Sequence, residues 1–163
     1  MRTSPWLPAI CVLTLAGCMG GLTPGSVAPA DIPDPTRLAR TGSPNDWLIC
    51  PTGACAAESS ATAPIYKVEP DRLYAAWRTV VAAQPRVTVI AEDRPRLLLM
   101  VQDRTPFFRF VDTITIRVLP APDGGSTFAA YSRSNVGVGD FGTNRRRLEH
   151  WLEMLTREVG PTG

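Results

Sequence analysis

The sequence predicts an α+β domain of two layers, in which an antiparallel sheet of about five strands carries two helices on one face. Two stretches, at residues 70–84 and 145–159, repeat apolar residues at helical spacing. Four stretches between them are rich in β-forming residues and are joined by short connections, which force neighbouring strands to be antiparallel. The predicted order is β-α-β-β-β-β-α, and helices packed on one side of such a meander give two layers.

The first strand and the first helix are predicted within residues 63–84. The segment "APIYKVE" (63–69) supplies β-forming residues for a short strand. Pro70 suits the first position of a helix, and Asp71 favours its positive N-terminal end. The apolar residues that then recur at helical spacing are Leu73, Trp77, Val80 and Val81.

The remaining elements are four strands and a closing helix. The strands are predicted at "RVTVIA" (86–91), "RLLLMVQ" (96–102), "FRFVDTITIRVL" (108–119) and "STFAAYSRS" (126–134). The last helix, "RRRLEHWLEMLTREV" (145–159), places one apolar stripe towards the sheet. That stripe consists of Leu148, Trp151, Leu152, Leu155 and Val159.

The N-terminus has the pattern of an export signal. One basic residue precedes an apolar run at residues 6–16, which is about half the ~20 residues that a membrane-spanning helix needs. The run ends in Leu-Ala-Gly-Cys, which resembles the bacterial lipobox. The resemblance implies that residues 1–17 are a signal peptide and that Cys18 becomes an acylated N-terminus, held stably in a membrane by two or more acyl chains. Met19, the next residue, points to the outer membrane by resemblance to lipoprotein sorting patterns.

The rest of the chain divides into a tether and one domain. Residues 18–44 are rich in proline and glycine and are predicted to be a flexible tether. Residues 45–160 are long enough for a single globular domain, which we expect to be monomeric. The formal net charge is only +2 and Lys67 is the only lysine, so no concentrated basic face for nucleic acid is expected.

Two cysteines remain for the domain, Cys50 and Cys55 in "CPTGAC". An even pair in an oxidising compartment is most simply a disulfide. A redox-active pair would normally be C-x-x-C at a helix N-terminus, and two cysteines with one histidine are too few ligands for zinc. We therefore expect a structural loop disulfide.

Asp112 is the most informative polar residue of the domain. Strand alternation points its side chain to the apolar face, and a carboxylate there is costly unless it is paired and hydrogen-bonded. The candidate partners are Arg109, Arg133 and Arg147. One interpretation is a buried Asp-Arg pair that fixes the last helix to the sheet. A second is a ligand site formed by Asp112, Tyr131, Arg133, Asp140, Asn144 and Arg147. A third is acid-base catalysis by Asp112 with Asp140.

The stretch "GVGDFG" (137–142) fits the G-x-G-x-x-G pattern of dinucleotide-binding turns. It follows a predicted strand and precedes a helix. A dinucleotide fold also needs a parallel strand after that helix, and none remains before Gly163. We therefore expect no cofactor, and interpret the glycines as allowing a sharp turn in which Asp140 or Thr143 caps the helix.

The folded part resembles a known family. The segments that carry the resemblance are "NDWLICPTGAC", "PIYKVEPDRLYAAWRTVVAAQPRVTVIAEDRPRLLLMVQDRTPFFRFVDTITIRVLP" and "STFAAYSRSNVGVGDFGTNRRRLEHWLEML". They are similar to bacterial members of the domain of unknown function (DUF) 1499 family over roughly residues 45–156. The resemblance implies a secreted or lipid-anchored envelope protein and brings no activity with it.

The expected role is that of a periplasm-facing lipoprotein of the bacterial cell envelope, with a structural or interaction function and no enzymatic activity. The membrane is its expected partner through the anchor, and an envelope protein or anionic lipid headgroups are further partners, the latter through Arg145–Arg147. Two alternatives stay open. One is a binding module for a small hydrophobic or anionic ligand between the sheet and the last helix, and the other is a hydrolase that uses the Asp112 cluster.

Overall fold

The computed structural model describes residues 27–40 and 42–160. In this part of the chain, six strands form one sheet and two α-helices pack against it. The strands are β1 (Asp46–Cys50), β2 (Ala61–Thr62), β3 (Val87–Asp93), β4 (Leu98–Arg104), β5 (Val111–Pro120) and β6 (Ser126–Ser134). The helices are α1 (Pro70–Ala82) and α2 (Thr143–Val159). The spatial order of the strands is β2-β1-β6-β5-β4-β3.

The α+β class is confirmed, and the sheet differs from the prediction in several details, one of which is that the strand predicted at 108–119 begins only at Val111. The sheet has six strands in the described residues, and β1 pairs with β2 in parallel while the other neighbours are antiparallel. The strand predicted at 63–69 is wrong, because that stretch makes only an isolated bridge between Tyr66 and Ser126. Strand β1 was not predicted. Its residues are buried on both faces of the sheet, so they lack the alternation that marks a half-buried strand.

The two helices lie together on one face of the sheet, as predicted. Pro70 occupies the first position of α1, and Asp71 lies in its first turn. Trp77 of α1 meets Phe128 of β6 edge to face, with ring centroids 4.9 Å apart. Buried members of this core include Leu73, Tyr74 and Trp77 from α1, Leu148, Trp151 and Leu155 from α2, Ile49, Leu99, Ile114, Ile116 and Phe128 from the sheet, and Tyr66.

The other face of the sheet is covered by residues 27–40, here called the strap. Ile32 is buried against Ala91 and Leu98. Asp34 pairs with Arg117 of β5. The packed chain therefore begins before residue 45, and the segment predicted as a tether at 18–44 contains this ordered strap. The strap is proline-rich and contains a short 3-10 helix (Pro29–Asp31) and a turn at 35–37. It therefore lacks the periodicity of a longer helix or a strand, and composition alone could not separate it from a tether.

The strap crosses the sheet from one end to the other. Its start lies near the β3–β4 connection, where Arg96 Nη2 donates to the carbonyl of Pro29 over 2.7 Å. Its end lies beside the start of β1, where Arg40 pairs with Asp46. The predicted signal peptide, Cys18 and Met19 lie outside the described residues. No helix within the described ranges is long and apolar enough to cross a membrane.

Candidate functional site

A cluster of polar residues lies at one end of the sheet, on the face that the helices cover. Asp112, on β5, is 1% exposed, as its place in the alternation predicts. Arg147 Nη2 on α2 donates to Asp112 Oδ2 over 2.5 Å. Of the three arginines proposed as partners, Arg147 is the one that the structure brings to Asp112.

Arg147 uses all three nitrogens of its guanidinium group. Nε donates to Asp103 Oδ2 over 2.9 Å, and Nη1 donates to Ser132 Oγ over 2.9 Å and to Asn144 Oδ1 over 2.7 Å. Asp103 on β4 lies directly opposite Asp112 in the sheet register. One arginine therefore lies between two carboxylates that would otherwise repel each other on neighbouring strands.

Asn144 connects this ion-paired group to the rest of the fold. Its Oδ1 accepts a hydrogen bond from Ser132 Oγ over 2.6 Å. Its Nδ2 donates to the carbonyl of Asn45 over 2.8 Å and to Asp140 Oδ2 over 2.7 Å. Asn144 is fully buried, so helix α2, strand β6 and the chain that enters β1 are joined by one side chain.

Asp140 caps α2, as predicted. Its Oδ1 accepts a hydrogen bond from the Gly142 amide over 2.9 Å, and its Oδ2 accepts one from the Asn144 amide over 2.7 Å. Gly142 has a φ of 75°, in the left-handed region that favours glycine. The "GVGDFG" stretch thus forms a turn in which the protein's own carboxylate accepts hydrogen bonds from the amides of Gly142 and of Asn144, two residues further on.

Tyr131 and Arg133 lie on the opposite face of the sheet from Asp112. The register pairs Asp112 with Ser134, so the residues of β6 that share its face are even-numbered, and the predicted six-residue cluster is split. Tyr131 Oη donates to Asp46 Oδ2 over 2.7 Å. Burial, and then this hydrogen bond to Asp46, raise the pKa of Tyr131 above its ordinary value.

Asp103 and Ser132 complete the cluster and were not predicted. Both could have been found from the hairpin register, because residues opposite Asp112 on β4 and near it on β6 share its face. Arg109, the third proposed partner, lies exposed in the loop after β4. His150 is also exposed, so neither residue joins the buried group.

The cluster is chemically closed. The polar groups around Asp112 form hydrogen bonds with one another. The buried atom left without a hydrogen bond there is Asp103 Oδ1. Within the described residues no three His, Cys, Asp or Glu side chains are grouped to hold a metal ion. Such an arrangement fixes the helix to the sheet, because the guanidinium of Arg147 makes four hydrogen bonds to groups of the protein itself.

A cavity of about 220 Å³ lies on the other face, beneath the strap. It is below the ~300–1,000 Å³ of common small-molecule sites. The lining is aliphatic on the strap side and carries hydroxyl groups and one guanidinium on the sheet side. Its residues are Pro33, Leu38, Ala39, Met100, Thr113, Thr115, Tyr131 and Arg133.

Cys50 and Cys55 form the predicted disulfide. It closes the loop that follows β1, and Cys50 is buried with Leu48 and Ala129. The bridge therefore ties this loop to the strap-covered face of the sheet and lies away from the Asp112 cluster.

The model of the family described as "Protein of unknown function (DUF1499)" matches residues 28–155. The chain belongs to the DUF1499 family. The match begins within the strap and ends in α2, so nearly all of the strap, all six strands and Arg147 lie inside the DUF1499 region. The strap is thus part of the family's domain.

Solved structures align with this DUF1499 chain at low sequence identity. A crystal structure of Ara h 8.0201 aligns with a TM-score of 0.45 and 9% identity, covering 60% of this chain and 93% of its own. A crystal structure of TTHA0849 from Thermus thermophilus aligns with a TM-score of 0.32 and 10% identity, covering 70% of this chain and 93% of its own. No curated protein matches the sequence.

Proposed function

We propose that this DUF1499 protein is a lipid-anchored component of the bacterial cell envelope with a non-enzymatic structural or interaction role. The observation that carries the proposal is the closed state of the Asp112 cluster. Asp112 is the carboxylate with the strongest claim to chemistry, and it is 1% exposed and bonded to Arg147. A general acid or base needs to reach a substrate proton within ~3 Å, and Asp112 is occupied by the fold itself.

The anchor is supported by the sequence. The Leu-Ala-Gly-Cys motif directly follows an apolar run of signal-peptide length. The acylated Cys18 would place the domain at the periplasmic face of a membrane, and Met19 favours the outer membrane. The short chain between Cys18 and the strap would hold the domain close to that membrane.

The hydrolase alternative has less support, because Asp140 is also committed. Both of its oxygens accept backbone amides at the start of α2. The two carboxylates proposed for acid-base chemistry are thus a helix cap and a buried ion pair. An Asp112→Asn variant tests this alternative. We expect it to lower the melting temperature, and turnover of an esterase or phosphatase substrate that Asp112→Asn abolishes without unfolding would contradict a non-enzymatic role.

The ligand-binding alternative is supported at a different place from the one first expected. The predicted site between the sheet and α2 is filled by the cluster and the core, whereas the cavity beneath the strap brings Arg133 and Tyr131 together with aliphatic residues. A small anionic molecule with a short apolar part would suit that lining. Native mass spectrometry of protein purified from its own envelope tests it, and a clean apo mass would weaken this candidate.

The lipid anchor is tested by Cys18→Ser. The unaltered protein should carry a diacylglyceryl and an N-acyl group by intact mass and remain in carbonate-washed membranes. Cys18→Ser should lack both groups and leave the membrane fraction. Cys50→Ser serves as the control, since it removes another cysteine and should keep the acyl groups. An unmodified Cys18 in the native protein would refute the proposed anchor.

A further inference from the structure

Exposed apolar side chains are concentrated at one end of the sheet. Eight large hydrophobic residues are exposed in the described part of the chain, and six of them lie in the β4–β5 loop (105–110) and the β6–α2 loop (135–142). These six, here called the apolar end, are Phe107 (90% exposed), Phe108 (79%), Phe110 (49%), Val136 (51%), Val138 (85%) and Phe141 (97%). Soluble monomers rarely expose so many apolar groups together, and such patches mark interaction surfaces.

The two loops form one surface. They leave neighbouring strands, and Thr113 Oγ1 donates to Asn135 Oδ1 over 3.1 Å at their base. The Asn135 amide also donates to the carbonyl of Val111 over 3.4 Å. Phe108 and Phe110 stack with ring centroids 5.5 Å apart, so the aromatic rings form a compact projection.

The backbone of both loops holds an unfavourable conformation. Arg109 has a φ of 54° and Phe141 a φ of 52°, in the left-handed region that bulky residues rarely adopt. Packing of the two side chains does not offset the free-energy cost of this backbone conformation, because both side chains are exposed. Strained residues of this kind tend to occur where a shape is held for binding.

The apolar end is surrounded by positive charge. Arg104, Arg109, Arg133 and Arg146 are exposed there, and the ion pairs of the described residues include none of them. Of the acidic residues nearby, Asp103 and Asp112 pair with Arg147. Asp140, in the β6–α2 loop itself, accepts hydrogen bonds from the amides of Gly142 and Asn144. Apolar tips with a basic rim are the pattern of a surface that enters the interface of an anionic bilayer. A second copy of the chain would bring the same positive charge and be repelled.

The chain is long enough to let this end reach the membrane that holds Cys18. The strap enters near the β3–β4 connection, at the opposite end of the sheet. The nine residue steps from Cys18 to Val27 extend to at most about 31 Å. The ten residues of β5 span about 30 Å. An anchored domain can therefore lean so that the apolar end contacts the same bilayer.

We propose that the apolar end inserts into the headgroup and upper acyl region of an anionic phospholipid bilayer, as a second membrane contact besides the acyl anchor. Its placement beside a membrane rests on the proposed function. The aromatic tips enter the bilayer, and the four arginines remain at the level of the lipid phosphates.

The test uses the complete acylated protein in phosphatidylethanolamine vesicles that contain either about one quarter phosphatidylglycerol or none, because a basic rim requires anionic lipid. An environment-sensitive fluorescent amino acid replaces Phe108. A matched control places it at Val89, which is 49% exposed but lies on β3, away from both loops. We expect a shift to shorter wavelength and quenching by brominated acyl chains at position 108, and neither at position 89. Phe107→Ser with Phe141→Ser should lower the ratio of inserted to free probe by roughly a hundredfold, about tenfold for each phenylalanine.

Each outcome decides the inference. A probe at position 108 that remains in water while the intact mass shows an acylated Cys18 refutes membrane insertion and leaves the anchor standing. Insertion at position 108 by a native protein whose intact mass shows an unmodified Cys18 refutes the proposed anchor and leaves the inference standing. Insertion that is equal with and without phosphatidylglycerol refutes the role of the arginine rim. If the probe at position 108 enters an apolar environment only when envelope proteins are added, membrane insertion is refuted and the surface binds a protein partner instead.

Discussion

Replacing Arg147 by methionine tests whether the Asp112 cluster fixes the last helix to the sheet. The substitution keeps most of the side-chain length and removes the cation. It leaves Asp112 and Asp103 facing each other across the β4–β5 pairing, with Asp112 1% exposed. Removing one member of a buried ion pair costs about 3–5 kcal/mol, because the remaining charge is buried without compensation.

That loss is large for a domain of this size. Domains have unfolding free energies of about 5–15 kcal/mol, so Arg147→Met should lower the melting temperature by roughly 10–20 °C. The assays are thermal unfolding, for the melting temperature, and urea unfolding, for the free energy, of the detergent-solubilised protein, both followed by tryptophan fluorescence and far-ultraviolet circular dichroism. An unchanged slope against urea concentration would show that the two proteins expose the same surface on unfolding.

Arg145→Met is the matched control on the same helix. Arg145 pairs with Glu149, but its side chain is 58% exposed, and an exposed i,i+4 pair contributes only about 0.3–0.5 kcal/mol. In the double variant Asp112→Asn/Arg147→Met, the combined loss should be smaller than the sum of the two single losses by about 0.5–3 kcal/mol, because the residues share one interaction. If Arg147→Met is no more destabilising than Arg145→Met, or if the two losses are additive, the cluster does not fix the helix.

Three further predictions concern stability. Burial is the largest cause of a raised pKa in each of the chain's three tyrosines, Tyr66, Tyr74 and Tyr131. Their contribution to stability is therefore complete below pH 10 and is lost as the pH rises above it, and a tyrosinate absorbance titration should show ionisation later in the folded protein than in guanidinium. Cys50→Ser should cost about 2 kcal/mol in urea unfolding, the chain-entropy value for a six-residue loop, and a reductant should lower the stability of the unaltered protein but not of the variant. Asp140→Ala should cost about 1–2 kcal/mol through the lost cap of α2, whereas the exposed Glu153→Ala should change thermal unfolding by less than about 0.5 kcal/mol.

Much of the fold follows from patterns that repeat within a short stretch. The stripe of α1 and the stripe of α2 predict both helices, and the four strands of the meander are found because they carry β-forming residues between short turns. Strand β1 was not predicted because it has only five residues and is buried on both faces. Neither its length nor an alternation of apolar and polar residues distinguishes it from a loop. The strap was not predicted because its position depends on tertiary packing, which places Ile32 against Leu98. Such a contact cannot be inferred from composition.

Only part of the candidate site could be predicted, because the faces of the β6 residues depend on the turn between β5 and β6. Alternation along one strand is a local property, and it correctly placed Asp112 on the apolar face. The face of Tyr131 and Arg133 depends on how two strands are aligned, and a slip of one residue exchanges the faces of a whole strand. The turn aligns Pro120 with Ser126 and hence Asp112 with Ser134. Ser132, and not its two neighbours, is therefore the residue of β6 that meets Arg147.

The buried cluster and the apolar end lie at the same end of the sheet. The cluster holds in position the two loops that form the apolar end. Asp103 and Asp112 flank the β4–β5 loop, and Asn144 and Arg147 follow directly on the β6–α2 loop. The hydrogen bonds of Arg147 to Asp103 and Asp112 therefore join the bases of both loops. Replacing a buried ion pair with well-packed apolar residues is often neutral or stabilising, but here it would remove the charges that fix the separation of the two loops. This positioning predicts that Arg147→Met, at a temperature where the domain is still folded, reduces insertion of a probe at Phe108 into anionic vesicles while Arg145→Met does not. Equal insertion in the two variants would show that the loops keep their arrangement without the cluster.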